Sequence, residues 1–233
     1  MQREMKRKIG LVVGAATIGE EKANLRELVI DRKRKGIDCI IAADGGMNFF
    51  VAEGICPDLW IGDMDSAEDS LEEKVVEVFP QLERRTCSPI KDDTDLAIAL
   101  NIIFEEEGCE EAYVYGGLGG NRMDHSIANI QLMHHYKEAG KRVRMFGQNT
   151  EMFVLKNEDI QFDSNEEGYI SVFSLTDESE VDIKGLFYEY SGLLKNSYAL
   201  GVSNEFCGKE ATICVKKGMV LVIKTDKTQQ NIK

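Results

Sequence analysis

Between residues 9 and 147, short apolar runs alternate with charged, helically patterned stretches, and this alternation leaves few folds open. Residues 9–13, 38–43, 59–61, 112–115 and 143–146 read as buried strands. Residues 82–87 form a weaker strand-like run. The intervening stretches 21–35, 47–53, 68–79, 93–107 and 123–138 read as helices, and Gly36, Gly54, Gly108 and Gly140 stop four of them. In the stretch 93–107, Leu96, Ala99, Leu100 and Ile103 fall at i, i+3, i+4 and i+7, one apolar stripe of a helix. Strands alternating with helices predict an α/β domain with a mainly parallel sheet covered on both faces. Ligands on such sheets sit beyond the carboxyl ends of the strands.

The pattern changes after Gln148. Residues 151–155, 169–175, 181–183, 211–215 and 219–223 are short β-type runs separated by Asn, Asp, Gly and Ser turns. That is the pattern of a small antiparallel sandwich or barrel. We therefore expect an α/β domain over residues 1–147 and an all-β sandwich over 148–233, with a polar tail from 225.

The net charge is −13, which argues against nucleic acid or an anionic membrane as a partner held by general electrostatics. No apolar run approaches the ~20 residues of a membrane span. Lys6-Arg7-Lys8 before an apolar run has the look of a short signal peptide, but the run is broken by glycine and a charged helix follows; a first buried strand explains it better. The six cysteines contain no C-x-x-C pair and there are only three histidines, which argues against structural zinc. Scattered single cysteines suit a reducing compartment, with most serving as small core residues.

The polar residues that stand out follow strand ends. After the strand at 59–61 comes Gly62-Asp63-Met64-Asp65-Ser66. Asp63 and Asp65 lie two apart, so an extended chain points both to one side, where they can present hard oxygens to Mg²⁺ held against phosphates. An acidic turn is the plainer alternative. Asp44-Gly45-Gly46 follows a strand and opens a helix, so its amides can face a ligand, or it can be a simple strand-to-helix turn. Lys91-Asp92-Asp93-Thr94-Asp95 precedes another helix. Asp and Thr suit a helix start, whereas a lysine there opposes the macrodipole and points to a phosphate partner. Gly116-Gly117-Leu118-Gly119-Gly120-Asn121-Arg122-Met123-Asp124-His125 leaves room for backbone around a polyphosphate, with Arg122 as a forked donor. Asp124 can take a metal-bound water, a ribose hydroxyl or Arg122 itself. His125 reads as a helix-start or packed residue. Neither a P-loop nor G-x-G-x-x-G occurs. Ser203 and Asn204 sit in a turn whose side chains can hydrogen-bond a heteroaromatic edge.

Taken together these segments resemble the thiamine pyrophosphokinase family. The residues carrying the resemblance are Ala43-Asp44-Gly45-Gly46, Pro57-Asp58 leading to Gly62-Asp63-Met64-Asp65-Ser66, Lys91 with Thr94-Asp95, the run Gly116 to His125 with Asn129, and Ser203-Asn204-Glu205. The resemblance implies a Rossmann-like catalytic domain, a C-terminal β-sandwich that binds thiamine, and a cytoplasmic homodimer with active sites between subunits. It also implies ATP as co-substrate, Mg²⁺ as cofactor, and thiamine diphosphate and AMP as products. On that basis Asp63, Asp65 and Asp95 correspond to metal-phosphate carboxylates, and Lys91 joins them as catalytic. Asp44, Gly45, Gly46, Thr94, Gly117, Gly119, Gly120, Arg122, Asp124 and His125 correspond to the ATP site, and Ser203 and Asn204 to thiamine contacts. The chain departs from the family at Gly185-Leu186-Phe187-Tyr188, where a Gly-Leu-Lys-Tyr-type segment is common, and it has no tryptophan after Trp60 to stack on thiamine; Phe206 or another aromatic is left for that role. The alternatives are a pyrophosphokinase acting on another small alcohol such as a hydroxymethyl-pterin, and a non-catalytic nucleotide or thiamine sensor.

Overall fold

The computed structural model describes residues 7–62, 69–86, 93–119 and 122–227. The chain forms two units. The first holds the residues up to Leu132 together with Lys141–Gln148. The second holds Met133–Gly140 and the residues from Asn149 onward.

In the first unit the strands are β1 (Ile9–Val13), β2 (Ile37–Ala43), β3 (Leu59–Gly62), β4 (Glu83–Thr86), β5 (Glu111–Tyr115) and β6 (Arg142–Gly147). They lie in the order β6-β5-β1-β2-β3-β4, and every pairing is parallel. The chain steps outward from β1 to β4, then returns to place β5 on the other side of β1. Strand order therefore reverses between β1 and β5. Such a switch point is where open parallel sheets form ligand crevices. The strands are buried because their faces are apolar: Leu11, Val12, Val13, Ile40, Ile41 and Ile61 are all essentially inaccessible.

The helices are α1 (Lys22–Ile30), α2 (Arg32–Lys35), α3 (Met47–Glu53), α4 (Asp69–Val78), α5 (Asp95–Asn101) and α6 (Met123–Glu138). The single helix expected over 21–35 is interrupted at Asp31, whose backbone (φ −95°, ψ 26°) leaves the helical region. Leu25, Leu28 and Val29 face the core, whereas α2 is an exposed basic turn closed by Gly36 in the left-handed region. The stretch after α5 continues as a π-helical turn over Ile102–Glu106. The expected stripe Leu96, Ala99, Leu100 and Ile103 is buried, and Gly10 on β1 has no side chain because Ile103 fills that space.

The second unit contains β7 (Thr150–Lys156), β8 (Asp159–Phe162), β9 (Tyr169–Ser174), β10 (Glu178–Lys184), β11 (Tyr190–Lys195), β12 (Asn204–Glu205), β13 (Ala211–Lys217) and β14 (Met219–Thr225). Two antiparallel layers, β12-β9-β14-β7 and β11-β10-β13-β8, enclose one core. Val172, Val220 and Val222 come from the first layer, and Val181, Ile183 and Ile213 from the second. Alternation along β10, with Ser179, Val181 and Ile183 in and Asp182 and Lys184 outward, fits a half-buried strand. The antiparallel sandwich expected after Gln148 is present. Among the described residues, no helix is long and apolar enough to cross a membrane.

Candidate active site

At the switch point of the first unit lies a cavity of about 440 Å³. Its floor is backbone. The loop after β1 contributes Gly14, Ala15, Ala16 and Thr17, and the loop after β5 contributes Gly116, Gly117 and Gly119. The two loops are tied together: Gly14 N–H donates to the Tyr115 carbonyl at 2.7 Å and Ala16 N–H to the Gly116 carbonyl at 2.9 Å. Gly116 takes φ +67°, and a Cβ there would stand 2.3 Å from the Gly14 carbonyl oxygen. Only glycine allows that approach.

Asp44, Thr94, Asp95, Arg122, His125 and Asn129, with the apolar Ala43 and Leu96, complete the lining. Asp44 follows β2 with φ +49°, a conformation that costs a non-glycine residue energy and marks functional turns. Trp60 helps to hold it, because its indole Nε1 donates to the Asp44 carbonyl at 3.1 Å. The only tryptophan is thus a core residue and also a support for the site. For Gly46 two roles were open, backbone facing a ligand or a plain strand-to-helix turn. It is buried, and a Cβ would lie 2.0 Å from the Val13 carbonyl oxygen, so packing requires glycine there. Gly45 and Gly46 stand outside the cavity lining.

Thr94 is the N-cap of α5, its Oγ1 accepting from Ala97 N–H at 3.2 Å, and Asp95 occupies the first turn. A carboxylate there suits the positive end of the helix. Asn129, in the second turn of α6, is buried and donates from Nδ2 to the Gly117 carbonyl at 2.6 Å. Ser126, one turn earlier, accepts from Gly119 N–H at 3.0 Å. The glycine loop is therefore held in shape by two side chains from the helix that follows it.

Asp124 pairs with Arg122. Its carboxylate takes Arg122 Nε at 3.0 Å and Nη2 at 2.7 Å. The guanidinium holds the Asp124 carboxyl down at about 2, and the same hydrogen bond pushes the arginine further up. Both side chains are about two-thirds exposed, at 67% and 64%, so the pair is adaptable. Asp63, Asp65, Lys91 and Gly120, also expected at the site, lie outside the described residues. Among the described residues, no group of three or more His, Cys, Asp or Glu side chains converges as a metal site.

The loop Gly14–Thr17 was missed in the sequence because it follows a strand whose neighbours are unknown until the strand order is seen. Its signal is a run of small residues directly after an apolar strand.

In the second unit, Ser203 takes φ +55° and its N–H donates to Ser171 Oγ at 2.9 Å. The Asn204 amide is engaged at both ends by Tyr188 backbone: Oδ1 accepts from its N–H at 2.9 Å, and Nδ2 donates to its carbonyl at 2.7 Å. Asn204 thus pins the exposed aromatic pair Phe187 and Tyr188, which meet edge to face at 4.8 Å. Phe206, left open as a stacking aromatic, is 7% exposed and packs against Phe162, so it is a core residue.

Residues 31–145 match the model described as the catalytic domain of thiamin pyrophosphokinase, and residues 157–220 match its vitamin B1 binding domain. The chain belongs to the thiamin pyrophosphokinase family. A thiamine pyrophosphokinase of Bacillus subtilis is 26% identical over 189 residues, covering 79% of this chain and 86% of that protein. In structure, the chain is similar to thiamine pyrophosphokinase from Bacillus subtilis (TM-score 0.80, 21% identity, 95% and 100% of the two chains). It is also similar to that from Geobacillus thermodenitrificans (0.76, 22%, 95% and 99%) and to the yeast thiamin pyrophosphokinase (0.75, 14%, 95% and 87%). At these identities the likeness in structure speaks for the fold, and the family models carry the assignment. The family's catalytic region overlaps most of the unit that holds the cavity, and the loop Gly14–Thr17 precedes it.

Proposed function

We propose that this chain transfers the pyrophosphoryl group of ATP to the hydroxyethyl oxygen of thiamine, giving thiamine diphosphate and AMP. One observation carries the reading. A glycine-floored cavity sits at the sheet's switch point, and Asp44, Asp95 and Arg122 of its lining fall inside the segment that matches the family's catalytic model. In our reading, residues 1–147 form the ATP-binding catalytic domain and 148–233 the thiamine-binding domain.

The glycine backbone lets a polyphosphate lie close, with no side chain to hold it off. Arg122 faces the phosphates while Asp124 fixes its orientation. Thr94, Asp44 and His125 border the nucleotide, and Lys91 offsets charge that grows on the transferred group. Hard carboxylate oxygens are the donors a divalent cation prefers, and Asp95 in the cavity lining fits that chemistry; we propose Mg²⁺, with Asp63 and Asp65 completing its ligands. When bound, the ion neutralises phosphate charge. Phosphoryl transfer depends mainly on position and charge neutralisation, so a weakly acidic alcohol suffices as nucleophile. Asp95 accepts its proton late, on a carboxylate oxygen.

For thiamine we propose contacts from Ser203 and Asn204. The Asn204 amide also holds the Tyr188 backbone at both ends, which fixes the loop that meets the ligand. We further propose a cytoplasmic homodimer in which these residues serve the site of the other subunit. The unpaired thiols of Cys39, Cys56, Cys109, Cys207 and Cys214 support a reducing compartment.

The deciding experiment is AMP release from ATP and Mg²⁺, with and without thiamine. AMP that depends on thiamine and appears in step with thiamine diphosphate is expected. Absence of both products across a range of divalent metals refutes the reading. Asp63→Asn is expected to abolish turnover in a folded protein; equal turnover removes Asp63 from the metal site. Sedimentation at assay concentration tests the dimer, and a monomer that turns over refutes it.

A further inference from the structure

The amino ends of β1 and β2 carry a second cavity, of about 650 Å³, at the opposite edge of the sheet from the candidate active site. Its lining is basic: Arg7, Lys8, Arg32 and Lys33, with Asp38 as the acid. In a chain of net charge −13, such a local excess of cations calls for a reason.

The ion pairs around α2 show which of these charges are compensated. Arg32 is fixed by two hydrogen bonds to Asp58, at 2.8 and 2.7 Å, and a third to the Asp38 carbonyl at 2.8 Å. Arg34 meets Asp31 at 2.6 Å, and Lys35 meets Glu27 at 2.9 Å. Lys33, the remaining member of the run, meets no carboxylate among the described residues and faces the cavity. Arg7 likewise has no acidic partner among them. Lys8 donates to the backbone carbonyl of Glu107, which leaves its charge uncompensated. Asp38 already accepts from Ile9 N–H at 3.0 Å, which fixes its place at the rim. Among the described residues, three uncompensated cations against one carboxylate leave the cavity with two positive charges over. Arg32, anchored by Asp58, gives it a rigid wall.

We propose that this cavity binds a small phosphorylated anion carrying two negative charges, at a site separate from the one that turns over ATP. Phosphate-type oxygens suit both the point charges of the lysines and the forked donors of arginine. The volume exceeds what inorganic phosphate fills and suits a phosphate monoester of a small metabolite. The inference stands on charge placement alone and does not depend on the reaction proposed above.

The test is amide NMR on the full chain in magnesium-free buffer, with inorganic phosphate and ribose 5-phosphate as probes. Saturable shifts at Gly36 and Ile37 are expected, with the ester binding more tightly. The double variant Arg7→Gln/Lys33→Gln should weaken that binding by about tenfold, as loss of two partly screened charge contacts predicts. Shifts at Gly116 and Gly117, and turnover, should be the same in the variant as in the wild type. Lys33→Glu alone, at an exposed position, provides a second variant and should weaken binding in the same direction. No saturable shift at Gly36 and Ile37, or equal affinity in the variants, overturns the proposal. Binding only of inorganic phosphate overturns the monoester assignment.

Discussion

Replacing Asn129 by leucine tests whether the glycine loop is held from behind. The two side chains are close in size, so the packing around α6 is preserved while the donor to the Gly117 carbonyl, now 2.6 Å away, is removed. Asn129 and Gly117 are both buried in the wall of the cavity, so little water is at hand to replace the bond. Leaving that carbonyl unpaired costs about 1–3 kcal/mol. For a chain of this size that lowers the thermal midpoint by roughly 2–12 °C. If the loop must keep its shape to receive phosphates, the same energy appears in binding, as ATP affinity weakened by about five- to a hundredfold. Asn129→Asp should be worse than Asn129→Leu, because a carboxylate then faces a carbonyl with neither able to donate. Thermal denaturation and calorimetric ATP titration measure the two effects. A leucine variant with wild-type midpoint and wild-type ATP affinity refutes the reasoning.

Thr94→Ala removes the N-cap of α5 and should cost about 1 kcal/mol of stability, with Thr94→Ser recovering most of it; an unchanged denaturation midpoint in the alanine variant refutes the cap. Gly46→Ala should destabilise by about 1–3 kcal/mol, since the new Cβ meets the Val13 carbonyl at 2.0 Å and backbone must move; urea unfolding reads this, and a neutral result shows that the approach relaxes freely. The Asp124 carboxyl, held at about 2 against an ordinary 3.8, is lowered by folding, so its contribution to stability is full above 3.8 and is lost as pH falls toward 2. In a carboxyl-detected NMR titration Arg122→Gln should bring it back toward 3.8, and a midpoint already at 3.8 in the wild type rules out the pair in solution.

The sequence allowed the alternation to be read because each strand is an apolar run and each helix has a stripe or a glycine stop; Gly36 and Leu96 with Ala99, Leu100 and Ile103 behave as their patterns say. What it could not reveal was neighbourhood. Strand order decides that the loop after β1 faces the loop after β5, so Gly14–Thr17 carried no visible signal while Gly116–Gly119 did. The strands β8, β11 and β12 escaped notice because they are short or largely exposed, with burial too irregular to mark a period. Asp31 broke a helix whose apolar periodicity had already ended at Ile30, and the basic run after it looked like a solvated continuation. In the second unit, amide-bearing Asn204 looked like a ligand contact by residue type, but only the fold shows that the backbone of Tyr188 takes up both ends of it.

The reversal of strand order between β1 and β5 also bears on how the chain acquires its site. Ile9 pairs with Glu111, so the two loops of the cavity are brought together by a contact spanning about a hundred residues, among the longest closures in the unit and a slow one to make. During synthesis β1, β2, β3 and β4 can pair in turn as they emerge, each with a nearby neighbour. The cavity has no second wall until β5 inserts beside β1 and α6 brings Asn129 behind it. A nascent chain halted before Glu111 should therefore show sheet signal and no nucleotide binding, which stalled ribosome complexes probed with a fluorescent ATP analogue can measure; nucleotide retained at that length would mean that the β1 loop suffices alone. Competence to bind ATP is thus a late event, reached only after the protein is about half made.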